Sequence, residues 1–266
     1  MNRILLSNNG PVGHLRLNRP DKLNALDAEM VEELAAKCRE IEHNSEIRVI
    51  ILSGEGKAFC AGGDINAWAS ESPEKFGRHW VRDGHSAFDA LARLRQPVIA
   101  VLDGHALGGG LELAACADLR IAENQIKIGQ PETGLGIIPG WSGTQRAVRR
   151  YGAQIVRRMA LFGEVFTAEQ AIGQGLVDQV VATGEGLKAA EAVAQKILER
   201  GARATELTKL LINAAEGEER ERVIESLAGA LAAGSPELAE GLAAFRDKRK
   251  PDFSKGDDER SAILLR

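Results

Sequence analysis

Three consecutive glycines stand directly before a short apolar run that carries one carboxylate in the stretch HALGGGLELA, residues 105–114. The apolar, β-branched run PVIAVLDG (97–104) is typical of a buried strand, and GLELAACADL (110–119) is rich in helix formers. A helix is therefore expected to begin at or near Gly109, with Glu112 in its first turn. The first N–H groups of a helix have no intrahelical partner, and a backbone without Cβ atoms lets a ligand oxygen approach them. The alternative is a flexible turn in which the glutamate only complements the helix dipole.

A second segment of the same kind is GKAFCAGGDINAW, residues 56–68. It follows a strand-like run and leads into a short helix for which Asp64 is the expected N-cap. It is not a phosphate-binding P-loop, since Ala58 stands where that motif needs serine or threonine. GHALGGG (104–110) likewise lacks the glycine spacing of a dinucleotide-binding loop. Two small-residue loops remain, and two backbone N–H groups that converge on one oxygen form an oxyanion hole. The spacing along the chain leaves open whether they converge.

A second glutamate lies in the glycine-rich segment IGQPETGLGIIPGWSGTQR, residues 128–146. Glu132 is too far along the chain from Glu112 for the two to share one helix face. If the fold brings them together, each raises the pKa of the other, and they can divide the acid and base roles. Alternatively, Glu132 is one of the 38 acidic residues of the chain and lies on a solvated loop.

The same segment contains GWSGT (140–144), which is close to the G-x-S-x-G turn of nucleophilic serines. Thr144 replaces the last glycine, and none of the five histidines stands in a motif that would activate Ser142. We therefore expect the histidines to be structural or surface residues. No metal site is predicted, because His79 and His85 have a spacing unsuited to a metal pair and the three cysteines are scattered. These cysteines, which also predict no disulfide framework, are Cys38, Cys60 and Cys116.

Composition places the chain among ordinary globular proteins. It has 266 residues, of which 44% are hydrophobic and 27% charged, which is enough to bury a sizeable core. A net charge of −4 argues against a nucleic-acid or membrane-surface partner. The opening MNRILLSNNG has no apolar segment of a secretion signal, and no apolar run approaches the length of a membrane span. With the cysteine usage, these features predict a cytoplasmic location.

The elements that must position these residues alternate between strand-like and helix-like through the first two thirds of the chain, which predicts an α/β layered core. Beyond residue 181 the pattern is helical throughout. Residues 1–200 are therefore expected to form the core with the active site, and residues 201–266 a helical region. The strand-like runs are 3–7, 12–18, 47–54, 97–104 and 175–181, the first two forming a hairpin, and the helix-like runs are 27–44 (capped by Asp27), 184–200, 203–215, 217–233 and 235–249.

Five motifs, in this order, resemble the enoyl-CoA hydratase (crotonase) family over nearly the whole chain. The resemblance implies a crotonase-like spiral of ββα units with a C-terminal helical region that assembles homotrimers or hexamers. It implies acyl-CoA substrates and no separate cofactor, since coenzyme A is carried as part of the substrate. The motifs are NRPDKLNAL (18–26), AFCAGGDI (58–65), GHALGGGLELAACADLRIA (104–122), GQPETGLGIIPGWSGTQR (129–146) and FRDKRKPDF (245–253).

The resemblance also implies a role for each catalytic residue. The thioester oxygen would lie between the N–H groups of Gly63 and Gly109, which stabilise the negative charge of an enolate. Glu112 would take a proton from the water that attacks Cβ, and a protonated Glu132 would deliver a proton to Cα. The N–H of Gly140 would be a further donor to that water.

Coenzyme A is expected, by the same resemblance, to lie across the 18–26 motif and the 60s loop. Lys22 would contact the nucleotide phosphates, Ala61 and Ile65 would line the pantetheine and adenine path, and two C-terminal residues would reach the coenzyme A of a neighbouring subunit. The full set of implied contacts is Lys22, Ala25, Ala61, Gly63, Asp64, Ile65, Gly109, Phe245 and Lys248.

The chain departs from the family pattern near the acyl site. Asn66 stands where a lysine is common, so one charge contact with coenzyme A is expected to be missing. Trp141 and Ser142 replace small residues beside the water site, which predicts a narrowed or reshaped acyl pocket and allows a substrate other than a simple straight-chain enoyl-CoA. Trp68 and Trp80 are expected to be packing residues or acyl-pocket wall.

Several activities share these features. An enoyl-CoA isomerase needs one acid–base residue rather than two, and a hydrolase or carbon–carbon lyase acting on an acyl-CoA can use the same oxyanion hole. A non-catalytic acyl-CoA-binding relative would keep the scaffold alone. The presence of both Glu112 and Glu132 favours the hydratase.

Overall fold

The computed structural model of the chain describes residues 2–256. These residues fall into two compact units that divide between Leu210 and Leu211. All of the residues expected to be catalytic belong to the first unit. Among the described residues, every helix is too short or too polar to cross a bilayer.

The first unit contains two sheets. A six-stranded sheet has the order β1-β2-β3-β4-β6-β9, and a three-stranded sheet has the order β5-β7-β8. In the larger sheet only the β1–β2 hairpin is antiparallel. The strands are β1 (Ile4–Asn9), β2 (Val12–Leu17), β3 (Val49–Gly54), β4 (Val98–Leu102), β5 (Ala106–Leu107), β6 (Leu119–Glu123), β7 (Lys127–Gly129), β8 (Val165–Thr167) and β9 (Gln179–Val181).

Helices follow most of the strands of the first unit and form the described part of the second. Three 3₁₀ turns (20–22, 132–135 and 253–256) and one π-helical turn, Phe76–Val81, supplement them. The α-helices are α1 (Ala28–His43), α2 (Ile65–Trp68), α3 (Pro73–Lys75), α4 (Arg82–Ala92), α5 (Gly109–Ala114), α6 (Arg146–Tyr151), α7 (Ala153–Phe162), α8 (Ala168–Gly173), α9 (Gly186–Leu198), α10 (Ala202–Ala215), α11 (Arg220–Ala233) and α12 (Pro236–Arg246).

Strands β3 and β4 form the centre of the core because they are buried on both faces. Their sequences, VIILSG and VIAVL, are almost continuously apolar, as is typical of parallel strands covered on both sides. One face packs against α1, whose buried residues recur at helical spacing; the other packs against α9 through Ala190 and Ala194. The predicted N-cap of α1 is confirmed: Asp27 accepts the N–H of Met30 at 3.0 Å.

The sheet topology places the two glycine loops at one edge. Strands β3 and β4 are parallel neighbours, with Ile51 opposite Ile99. The segments that leave their carboxyl ends therefore emerge side by side. These segments are residues 55–64 and 103–109, which contain the two predicted oxyanion donors.

The α/β core and the N-terminal hairpin are confirmed, but the predicted helix over 110–119 is wrong in its second half. Helix α5 begins at Gly109, as expected, and ends at Ala114. Leu119 already belongs to β6 and pairs with Ile99 of β4. Pairing in the sheet overrides the local helix propensity of this segment. The strand expected at 175–181 is likewise confined to β9.

Candidate active site

The loops that follow β3 and β4 run side by side. The N–H of Cys60 donates to the carbonyl of His105, and the carbonyl of Cys60 accepts the N–H of Leu107, both at 3.2 Å. This pairing brings Gly63 and Gly109 together, since a Cβ placed on Gly109 would lie 3.4 Å from the nitrogen of Gly63. The structure thus brings together the two loops whose convergence the spacing left open.

The N–H groups of Gly63 and Gly109 are not used by the backbone hydrogen bonds described for the surrounding loops. Leu26 pairs with the 60s loop by donating to the carbonyl of Gly62 at 2.8 Å and accepting from the N–H of Asp64 at 2.7 Å. That pairing does not use the N–H of Gly63. Gly109 is the first residue of α5, where the N–H has no intrahelical acceptor. Both glycines border the same cavity.

Each of the three consecutive positions is occupied by glycine for a different physical reason. Gly108 has a φ of +54°, which side chains rarely adopt. A Cβ on Gly110 would overlap the carbonyl oxygen of Cys60. A Cβ on Gly109 would lie 3.1 Å from the ring of Trp141, so that a small shift of the ring would accommodate it. The backbone therefore requires glycine at positions 108 and 110, whereas the absence of a side chain at Gly109 mainly leaves space in the cavity.

Glu112 is held by backbone donors. Its side chain is 3% exposed, and its Oε1 accepts the N–H groups of Trp141 and Gly143, each at 2.7 Å. Gly140, whose N–H is expected to donate to the water, borders the cavity, and that role stays a prediction. The two donors to Glu112 were missed, because a backbone N–H that serves a distant side chain leaves no signature in residue type.

Glu132 begins the 3₁₀ turn at 132–135 and is 8% exposed. Neither of its carboxyl oxygens has a hydrogen-bond partner within residues 2–256. Its Oε1 lies beside the glycine run, 3.1 Å from where a Cβ of Gly108 would stand. A buried carboxyl without a partner costs stability, and its position at a cavity makes Glu132 a candidate for proton transfer there.

Burial raises the pKa of both carboxyls well above the ordinary value of 4.5. The nearby charge of Glu132 raises the pKa of Glu112 further, whereas the N–H donors and the Arg146 guanidinium lower it. Because two like charges at one cavity repel, the pair tends to hold one proton near neutral pH. The two N–H donors favour the ionised form of Glu112, and among the described residues Glu132 has no comparable donor.

One cavity of about 110 Å³ joins these groups. Gly63, Gly109, Glu112 and Glu132 border it, and most of the remaining wall is apolar, which is typical of a small-molecule site with a few convergent polar groups. As predicted, Trp68 and Trp80 form part of the wall. Among the described residues, no three His, Cys, Asp or Glu side chains are grouped to hold a metal ion. The apolar wall consists of Ala61, Ile65, Trp68, Phe76, Trp80, Val81, Pro131, Leu135, Ile137, Ile138 and Trp141.

A contact between Ser142 and His85 was not predicted. Ser142 has a φ of +77°, and its Oγ lies 3.0 Å from Nδ1 of His85. Ser142 does not border the cavity, so the pair does not present a nucleophile there. The contact instead holds the turn at 141–143, which donates to Glu112, against α4. The two residues are far apart in the chain, and sequence spacing gave no signal for their contact.

The loop carrying the 18–26 motif packs against the 60s loop. The side-chain amide of Asn24 donates to the carbonyls of Glu55 (3.0 Å) and Ala58 (2.8 Å), and the N–H of Ala61 donates to Leu23 at 3.1 Å. Of the expected coenzyme A contacts in this unit, Lys22, Ala61 and Ile65 are exposed, and Ala25 and Asp64 are half-buried. The Arg19 side chain, 2.7 Å from Asp64, lowers the pKa of that carboxyl.

The other two expected contacts belong to the second unit. Phe245, near the end of α12, is 83% exposed, and Lys248 follows the helix with a φ of +53°. Arg249 in the same segment forms an ion pair with Glu240 of α12, with an Nη1–Oε1 distance of 2.5 Å.

A sequence model of the family described as enoyl-CoA hydratase/isomerase matches residues 7–256. The short-chain-enoyl-CoA hydratase of Clostridium acetobutylicum is 38% identical over 214 residues, which are 80% of this chain and 82% of that protein. The crotonyl-CoA hydratase of Syntrophomonas wolfei is 35% identical over 253 residues, 94% of this chain and 97% of its own.

The solved structures give the same result for the fold. The crystal structure of an enoyl-CoA hydratase from Bacillus anthracis superposes with a TM-score of 0.77 at 33% sequence identity, covering 94% of this chain and 98% of that one. The expected crotonase-like fold is therefore confirmed.

Because the carboxyl of Glu132 is buried, we expect the stability of the protein to depend on its protonation. Its pKa is raised to about 7, so the folded state binds this proton more tightly than the unfolded chain. The contribution of this group to the free energy of unfolding is fully present below pH 4.5 and is lost as the pH rises through about 7. Glu132→Gln should leave Tm nearly unchanged at pH 5, where the native side chain is neutral, and raise it by a few degrees at pH 9.

Calorimetry at the two pH values checks this. Glu123→Gln is the matched control, since Glu123 is equally buried but accepts the N–H of Gly186 at 3.2 Å, and its loss should not stabilise the protein at pH 9. A Glu132→Gln effect of the same size at both pH values would contradict the argument.

Proposed function

The chain belongs to the enoyl-CoA hydratase/isomerase family, and we propose that it adds water across the 2,3 double bond of a trans-2-enoyl-CoA. The observation that carries this proposal is the placement of two buried carboxyls, Glu112 and Glu132, at one cavity beside two converging backbone N–H groups. An isomerase needs one acid–base residue, whereas hydration uses two, so this placement favours hydration.

The thioester oxygen is proposed to bind between the N–H groups of Gly63 and Gly109. When water adds to Cβ, the electron pair of the double bond moves toward the carbonyl and negative charge grows on that oxygen. Donors already in place stabilise this charge in the transition state, and one of them is typically worth roughly 3–4 kcal/mol.

The two glutamates are proposed to exchange protons with water and substrate. Ionised Glu112, oriented by Trp141 and Gly143, removes a proton from the water as its oxygen bonds to Cβ. Neutral Glu132 gives its proton to Cα as the enolate collapses. The pair holds one proton before and after addition, so exchange between the carboxyls or with solvent resets the site.

The remaining site residues are proposed to bind the coenzyme A part of the substrate, and no separate cofactor is needed. Exposed Lys22 suits the nucleotide phosphates, while Ala25, Ala61, Asp64 and Ile65 flank the path to the cavity. We further propose a cytoplasmic location, because the three cysteines are buried thiols, as expected in a reducing compartment.

A homotrimer or homohexamer is proposed from the second unit. Its helices leave large apolar side chains exposed, including Leu231 at 78% and Phe245 at 83%. Apolar surface of this kind is typically covered by a partner, and Phe245 and Lys248 would then reach the coenzyme A of a neighbour. Light scattering measures the state directly, and a compact monomer of 28.6 kDa would contradict the proposal.

The direct test is the loss of near-ultraviolet absorbance of crotonyl-CoA when the double bond is hydrated. Glu112→Gln and Glu132→Gln should each lower kcat by roughly 10²-fold or more with a small change in KM, since both act on protons in the transition state. Glu123→Gln, outside the cavity, should keep near wild-type kcat. Rapid hydration by either active-site variant would overturn the two-carboxylate mechanism.

Two substitutions in the glycine run provide a second test, because one is expected to affect activity and the other stability. Gly109→Ala should fold with a Tm near that of the wild type and lose roughly 10²-fold or more in kcat/KM, because the new Cβ crowds the thioester oxygen. Gly110→Ala should instead lower Tm strongly, because its Cβ would overlap the carbonyl of Cys60. If the activity of Gly109→Ala merely follows its folded fraction, Gly109 is not an oxyanion donor.

A further inference from the structure

All three tryptophans of the chain meet beside one of the proposed oxyanion donors. A Cβ placed on Gly63 would lie 3.1 Å from Cζ2 of Trp80, 3.6 Å from Nε1 of Trp68 and 3.7 Å from Cη2 of Trp141. These three side chains, here called the indole wall, close the side of the acyl cavity that lies next to the proposed thioester site.

The indole wall is closely packed. Trp141 is 3% exposed, its ring packs on Trp80 with centroids 4.9 Å apart, and its indole N–H donates to the backbone carbonyl of Trp80 at 3.0 Å. The absence of a side chain at Gly84 makes room for it, since a Cβ there would overlap the indole of Trp141. Phe88 supports the far side of Trp141 at 5.2 Å between ring centroids.

A second and larger cavity lies behind the wall. Its volume is about 580 Å³, against about 110 Å³ for the acyl cavity. The two cavities share Trp68 and Trp80 as lining residues, so these indoles are the partition between them. Trp80 belongs to the π-helical turn 76–81, a local geometry that is frequent at functional sites.

The second cavity has a mixed lining. Val31 and Ala35 of α1 are apolar, whereas Glu32, Glu71, Lys75 and Asp83 are charged. An acyl chain that entered would gain apolar contact but would also meet charged groups. A medium-length chain is therefore favoured over a longer one, which fills more of the cavity and meets more of these charges.

Building on the proposed function, we infer that Trp80 ends the acyl site and restricts this enzyme to short 2-enoyl groups of about crotonyl size. The acyl cavity must already hold the thioester, the two alkene carbons and the attacking water beside both carboxyls. A longer chain is stopped by the indole of Trp80, although the fold has space beyond it. Trp80 is thus a specificity-determining residue, with Trp68 and Trp141 as its supports.

The experiment compares kcat/KM for crotonyl-, 2-octenoyl- and 2-dodecenoyl-CoA across three proteins. For the wild type we expect at least a roughly ten-fold fall from crotonyl- to 2-octenoyl-CoA, the scale set by a misfit in an apolar pocket. Trp80→Ala joins the two cavities and should raise the octenoyl-to-crotonyl ratio roughly ten-fold or more, mainly through a lower KM for octenoyl-CoA. The dodecenoyl substrate should gain less, because a longer chain would meet more of the charged side chains that line the second cavity.

Phe166→Leu is the control, since Phe166 is a buried aromatic residue of β8 that borders neither cavity; it should keep the wild-type ratio. Circular dichroism verifies folding, and Trp80→Leu, which removes the indole but keeps apolar bulk, serves if Trp80→Ala does not fold. An unchanged ratio in a folded Trp80 variant, or equal wild-type activity on both chain lengths, overturns this inference and leaves the hydratase proposal intact. Absence of hydration of all three substrates by the wild type would instead overturn the proposed function.

Discussion

The carbonyl of Cys60 lies against the α-carbon of Gly110, and this contact between two backbones is the constraint on which the site depends. It is possible because β3 and β4 are parallel neighbours and because residue 110 has no side chain. The close approach sets Gly63 beside Gly109. A donor pair held by main-chain packing needs little reorganisation when charge develops, which is the property that makes such donors effective.

The same packing determines the surroundings of the two carboxyls. Helix α5 leaves the contact and carries Glu112 into the core, where the turn at 141–143 supplies two N–H donors. Glu132 lies in a separate 3₁₀ turn, and the part of the chain that the structure describes supplies no such donor to it. Two identical residue types therefore lie in different environments, which is the condition for a division between base and acid. The cost is a buried carboxyl that destabilises the fold when it is ionised.

The sequence was most informative where the chemistry depends on residue type. Both glutamates, the two glycine loops and the cap at Asp27 were identified, because carboxylates, bare backbone and capping residues leave a local pattern. The donors to Glu112, the Ser142–His85 contact and the meeting of three indoles over Gly63 were not. Each is a tertiary contact between segments distant in the chain, and a tryptophan is equally compatible with ordinary packing. The end of α5 at Ala114 was missed for a related reason, since the pairing of Leu119 with Ile99 outweighs helix propensity.

The central claim is that Glu112 and Glu132 share one proton across a single cavity. The pH dependence of kcat/KM for crotonyl-CoA, measured for the wild type and Glu132→Gln, tests it most directly. The wild type should give a bell-shaped profile, because activity is lost when both carboxyls are protonated and again when both are ionised. In Glu132→Gln the residual activity should lose the alkaline limb, and the acid limb should stay close to its wild-type position, because Glu132 is already neutral in the pH range where Glu112 titrates. A bell-shaped profile that survives unchanged in Glu132→Gln would contradict the account.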